Sequence, residues 1–124
     1  MALEGVALHH VNVTVPNETE AAAKHFYRHI LGLEEIYKPD AERSRGAWYQ
    51  LGTVQLHLSI EDAQPPSQRH VCYQVRDVEA AERHFREAGI EILDDERPIR
   101  GIRRFFLRDP GGNRLEITEG ASEN

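Results

Sequence analysis

The sequence predicts an α+β fold of two β-α-β-β-β modules, whose mixed sheets would share a cavity if they curve toward each other. Two observations carry this. A strand of alternating apolar and polar residues, followed by a helical stripe with a capping residue before it and a glycine after it, occurs twice along the chain. The landmarks of the second set repeat those of the first at an offset of about 60 residues, which marks an internal duplication. One domain is therefore expected over 1–124. It has a first module over about 7–62, a linker over about 63–68, a second module over about 69–119 and a tail at 120–124.

Residues 8–15 open the first module. Val11, Val13 and Val15 share one face and His10, Asn12 and Thr14 the other, the pattern of a half-buried strand. Pro16-Asn17 ends it. Asn17 followed by Glu20 has capping-box spacing, and Ala22, Ala23, Phe26, Tyr27, Ile30 and Leu31 form the stripe of a helix that Gly32 stops. Strands are expected at 33–37, 47–51 and 54–60, the last two joined by a tight turn at Gly52-Thr53. Residues 63–68, with Pro65-Pro66, read as the linker.

The pattern restarts at 69–75, where Val71, Tyr73 and Val75 oppose His70, Cys72 and Gln74. Asp77 caps a second helix bearing Val78, Ala81, Phe85 and Ala88, and Gly89 stops it. A short strand at 90–93 and a polar loop at 94–101 follow. The chain closes on a hairpin over 103–118, whose strand-like runs flank Asp109-Pro110-Gly111-Gly112-Asn113. Proline presets φ for a turn, and glycine and asparagine tolerate positive φ, so the chain reverses there. Eight strands and two helices result.

The bulk composition narrows the function. A chain of 124 residues buries a core without staples, and a net charge of −6 argues against general nucleic-acid binding. One cysteine excludes an internal disulfide framework and suits a reducing compartment. The N-terminus lacks a basic region followed by a long apolar run, and no apolar stretch approaches the roughly 20 residues that span a bilayer. A cytoplasmic protein without nucleic-acid or membrane partners is expected.

Under the duplication, His10 is equivalent to His70 and His57 to Glu116, with nearly equal spacing inside each pair. Each lies on the polar face of its strand, flanked by aliphatics such as Leu56 and Leu58 or Leu115 and Ile117. If the sheets share a cavity, the four side chains converge. Three imidazoles and one carboxylate suit one borderline divalent ion per site, Fe, Mn, Ni, Zn or Co, whereas calcium prefers oxygen ligands alone. The competing reading is a metal-free binder using the same residues as hydrogen-bonding groups. His57 reads equally as ligand or as acid/base residue.

The duplicated pattern, the histidines of strands one and five, and the closing DPGGNRLEI resemble the vicinal oxygen chelate superfamily over about residues 8–118. That superfamily includes glyoxalase I, fosfomycin-resistance thiol transferases, extradiol dioxygenases, methylmalonyl-CoA epimerase and metal-free bleomycin-resistance proteins. The resemblance implies the glyoxalase-like fold, a homodimer, and His10, His70 and Glu116 as metal ligands. His57 stands where glyoxalase I has its glutamate ligand. A metal so held leaves positions for two substrate oxygens. The chain also departs from the subfamilies. Thr14 replaces the first-strand arginine of glutathione-dependent glyoxalases, and Phe105 aligns near the tyrosine of the thiol transferases. Extradiol dioxygenases share the two-histidine, one-glutamate set, with His57 available as their further histidine, but their late tyrosine has no counterpart here.

The expected function is thus a metal-dependent lyase or isomerase with His57 and Glu116 as catalytic residues. Its substrate is small, oxygenated and anionic. The alternatives are an extradiol-type ring-cleaving dioxygenase and a non-enzymatic, ligand-sequestering protein of the bleomycin-resistance kind. Substrate contacts are expected from Asn12, Trp48, Cys72 and Arg103. Trp48 and Tyr49 are adjacent, so one packs on a helix and the other lines the pocket. Cys72 reads as a small filler or as a thiol near the metal. Arg97, Arg100, Arg103 and Arg104, joined by Arg43 and Arg45, read as a solvated charge run or as an anion site. His9 reads as an edge residue, and His25, His29 and His84 as solvated helix residues.

Overall fold

Valine at every second position commits His10–Val15 (β1) to a strand. The computed structural model describes residues 2–39 and 45–121, for Ala121 the backbone alone. Arg43 and the tail at 122–124 lie outside the described residues. The chain forms two compact units, Met1–Ala63 and Gln64–Asn124, dividing at the start of the expected linker.

In the first unit, β1 pairs in parallel with β4 (Val54–Ile60), and β4 pairs antiparallel with β3 (Ala47–Leu51). β2 (Glu34–Ile36) closes the sheet against β3, giving the order β1-β4-β3-β2. A parallel pair needs a long crossover. Part of it is a 3₁₀ turn at Asn17–Thr19, then α1 (Glu20–His25), which widens into a π-helical turn over Phe26–Ile30. Ala23, Phe26 and Tyr27 are buried, as are Val15, Tyr49, Leu56 and Leu58 on the sheet.

The capping box expected of Asn17 and Glu20 does not form. Thr19 closes the 3₁₀ turn on the Pro16 carbonyl (3.0 Å), so the chain enters the helix without a side-chain cap. Both side chains hold the start of β3 instead: Asn17 accepts from Arg45 (2.6 Å) and Glu20 from the Gly46 N–H (2.8 Å). Gly46 has φ +76°, and a Cβ there would lie 2.0 Å from the Leu58 carbonyl oxygen, so only glycine fits.

The second unit has β5 (His70–Gln74), α2 (Val78–Glu87), β6 (Ile102–Arg108) and β7 (Arg114–Ala121), in sheet order β5-β7-β6. Again the first strand pairs in parallel with the last, and the last two pair antiparallel. Asp77 caps α2 by accepting from the Ala80 N–H (3.0 Å). Gly89, at φ +79°, ends the helix, with Ile90 N–H donating to the Phe85 carbonyl (2.9 Å) as in a Schellman turn. The strand expected at 90–93 shrinks to one bridge, Leu93 with Phe106, so that seven strands form among the described residues where eight were expected. Ile90 is drawn into the helix stop through the Phe85 carbonyl, and Leu93 makes the bridge to β6. Phe85, Phe105, Leu107, Leu115 and Ile117 form the core on the helix side.

Candidate functional site

The first unit builds a row of side chains on the sheet face opposite its helix. Register sets Asn12 of β1 and Trp48 of β3 on either side of His57. The His57 ring lies parallel to the Trp48 indole, centroids 4.0 Å apart, and stacks on His10 from the other side at 4.1 Å. His57 is buried in this sandwich. Its Nε2 donates to the Gln55 side-chain oxygen at 2.8 Å, because an amide oxygen only accepts, and Nδ1 is thereby left as the acceptor. Desolvation, and then the nearby imidazoles of His10 and His9, hold His57 below the ordinary histidine value. His9 Nδ1 meets His10 Nδ1 at 2.9 Å, and Asn12 accepts from Ser59 at 2.7 Å. Tyr49 faces the other way, against Tyr27, and burial followed by the charge of Glu35 pushes its hydroxyl up to about 12. Trp48 is therefore the residue of that pair on the polar face.

The second unit repeats the row. Cys72 of β5 and Phe106 of β6 flank Glu116 of β7, as Asn12 and Trp48 flank His57. His70 Nε2 faces Glu116 Oε1 at 3.0 Å, and its Nδ1–H donates to the Gln68 carbonyl at 2.9 Å. With Nδ1–H on the Gln68 carbonyl, a neutral His70 would turn its Nε2 lone pair to the carboxylate, and a protonated one a second N–H. Two acceptors at that distance call for a cation between them, a proton or a metal ion. The arrangement fits a divalent ion on donor chemistry. Arg104 lies 3.6 Å from Glu116 Oε2, and Phe106 sits edge-on to His70. Cys72 is exposed; partial desolvation on the sheet face, then the adjacent Glu116 carboxylate, push its thiol up to about 11.

Adjacent arginines part company here. Arg104 binds Asp95 through Nε and Nη2 (2.9 and 3.3 Å) and the Arg97 carbonyl (2.8 Å). Arg103, where a substrate contact is expected, pairs with Glu79 (2.5 Å) and Glu119 (3.5 Å). Arg45 is engaged by Asn17, and Arg100 is exposed. His25 and His29 are exposed on their helix, rings 5.2 Å apart. Each unit thus offers a pair of candidate ligands, His10 with His57 and His70 with Glu116. Among the described residues no three His, Cys, Asp or Glu side chains gather around one point. Gln55, the Gln68 carbonyl, Phe106 and Arg114 were not anticipated from sequence. The offset of about 60 residues did not point to Phe106, which follows Trp48 by 58; its register on Glu116 makes it the counterpart of Trp48 on His57.

The chain belongs to the Glyoxalase/Bleomycin resistance protein/Dioxygenase superfamily, which it matches over residues 7–117. A Bacillus anthracis protein described as a glyoxalase family member is 31% identical, with a TM-score of 0.82 over 95% of this chain and 98% of that one. Lactoylglutathione lyase from Agrobacterium tumefaciens is 25% identical, with a TM-score of 0.74 over 94% and 95%. A variant of the fosfomycin resistance protein FosX from Listeria monocytogenes, complexed with Mn(II) and 1S,2S-dihydroxypropylphosphonic acid, is 17% identical. Its TM-score is 0.79 over 98% and 96%, and at that identity it shows the fold alone. No match is found among curated proteins. No helix among the described residues is long and apolar enough to cross a membrane.

Proposed function

We propose that the chain is a metal-dependent enzyme of this superfamily, of lyase or isomerase type, acting on a small oxygenated, anionic substrate. His10, His70 and Glu116 hold one divalent cation per chain. The observation that carries this reading is the His70–Glu116 pair, whose facing acceptors and carbonyl-fixed tautomer suit a cation. The 25% identity to a lactoylglutathione lyase supports the reaction class. When bound, the metal supplies Lewis-acid stabilisation of negative charge developing on substrate oxygen.

The chain's own residues do the rest. With Nε2 tied to Gln55 and both ring faces covered, His57 has only Nδ1 free for work. We assign that nitrogen to proton transfer, with Trp48 and His10 holding the ring in orientation; ligation at the same nitrogen is the competing use. Glu116, held between His70 and Arg104, is the second residue able to carry a proton. Asn12 and Cys72 complete the polar rows as substrate contacts. A homodimer is supported by two features: β1 and β5 are edge strands of their sheets, and Leu3, Val6 and Leu8 are exposed just before β1. The single cysteine fits a cytoplasmic setting.

The test is elemental analysis of untagged protein, before and after EDTA dialysis and reloading. It is run in a His25→Ala/His29→Ala background, so that an exposed i,i+4 histidine pair does not add its own metal. The expected result is one divalent ion per chain, lost in His70→Ala while the circular dichroism spectrum is retained. Stoichiometric metal in His70→Ala overturns the ligand assignment. Nickel, zinc or manganese directs assays to hemithioacetals, epimerisable thioesters and epoxides. Iron favours the ring-cleaving reading and directs them to catechols and oxygen uptake. A protein that takes up no metal is a ligand-sequestering member of the family.

A further inference from the structure

We propose that Arg114, stacked on Phe106 beside Arg104, is the residue that binds the anionic group, carboxylate or phosphonate, of the substrate. This rests on reading the His70–Glu116 face as the substrate side. Arg114 is the register partner of His70 across β5 and β7, and it lies two residues from Glu116 on the same strand. Alternation therefore sets its side chain on the face that carries His70, Cys72, Glu116 and Phe106. Its guanidinium carbon sits 4.1 Å from the Phe106 ring centroid, and that of Arg104 sits 5.1 Å from the same ring. Phe106 is buried.

The two arginines differ in what they already hold. Arg104 is occupied by Asp95, the Arg97 carbonyl and Glu116. Arg114 is half-buried, yet among the described residues it makes no ion pair and no hydrogen bond. Arg28, Arg45, Arg86, Arg103 and Arg104 all meet a carboxylate. Asp95, held by Arg104, is near enough to interact electrostatically with Arg114 but makes no ion pair with it, and a partly desolvated guanidinium whose donors touch no anion is unfavourable unless something else supplies one. Stacking on Phe106 uses the π face of the group and leaves its in-plane N–H donors open, which is the fork that matches carboxylate or phosphonate oxygens. The ring also restricts the plane, so less freedom is lost when an anion arrives.

The test titrates methylphosphonate and, separately, acetate into metal-free and into metal-loaded protein, following the Arg114 Nε–H signal by NMR. A saturable shift is expected already in metal-free protein, and the anion that saturates at lower concentration names the substrate class. In Arg114→Met, which keeps apolar cover over Phe106, the dissociation constant read from backbone amide shifts should rise about tenfold. Arg114→Lys, which keeps charge but loses the fork, should fall between, and Arg86→Ala, an exposed helix position, should match the parent. Metal content of Arg114→Met should equal that of the parent. Equal anion affinity in Arg114→Met and parent overturns the proposal, as does the absence of saturable binding of both anions. Failure of the metal reading is separate: it appears as no metal uptake by the parent, while titration of metal-free protein still reports on Arg114.

Discussion

Glu20 has a different role from the one its sequence spacing suggests. It pairs with Lys24 at 3.0 Å and accepts from the Gly46 N–H, with Arg45 at 4.0 Å. Burial alone would raise its pKa; the Gly46 N–H, Lys24 and Arg45 outweigh that and hold it below the ordinary value of 4.5. A folded pKa below the unfolded one means that the stabilisation is present above pH 4.5 and is lost as pH falls through the folded value. Glu20→Gln should therefore be less stable than the parent by about 1 kcal/mol at pH 7, with the gap narrowing as pH falls below 4.5 in urea denaturation. Residue-level roles of this kind were poorly legible. The spacing of Asn17 and Glu20 is correct for a capping box, but Pro16 and the 3₁₀ turn settle the helix entry, and the two side chains are recruited by Arg45 and Gly46 from far along the chain.

At the scale of elements, local chemistry was legible where the interaction itself is local. The turn in DPGGN is organised by Asp109, which is buried. Its Oδ1 accepts from the N–H groups of Gly111 and Asn113, and its Oδ2 from the Asn113 amide, each at 2.9 Å. These partners lie within four residues, so the turn motif could be read without the fold. Asp109→Ala leaves those donors of a part-buried turn without their acceptor and should cost roughly 2 kcal/mol in thermal or urea unfolding. The cap of α2 by Asp77 was legible for the same reason. The expected strand at 90–93 failed because its pairing depends on distant β6, which only Leu93 meets, while Ile90 is drawn into the helix stop.

For the whole molecule, the duplication has a physical consequence: each unit pairs its first strand in parallel with its last, and each places one candidate ligand pair on the face opposite its helix. Open edges at β1 and β5 and the exposed Leu3, Val6 and Leu8 accompany the proposed homodimer. Sedimentation equilibrium should return the mass of two 14.2 kDa chains, and a mass of one chain at micromolar concentration would remove the dimer from the proposal. The sequence by itself determined the alternation of every long strand, the helix stops, the closing turn and the equivalence of His10 with His70 and of His57 with Glu116. These follow from period-two sterics, turn chemistry and repetition, which are written within a few residues or copied along the chain. Only the tertiary structure decided that Trp48 lies on His57, that Arg104 rather than Arg103 stands beside Glu116, and that Arg114 meets Phe106. A strand's pattern assigns each side chain a face, but its neighbours on that face are set by strand order and register with distant segments.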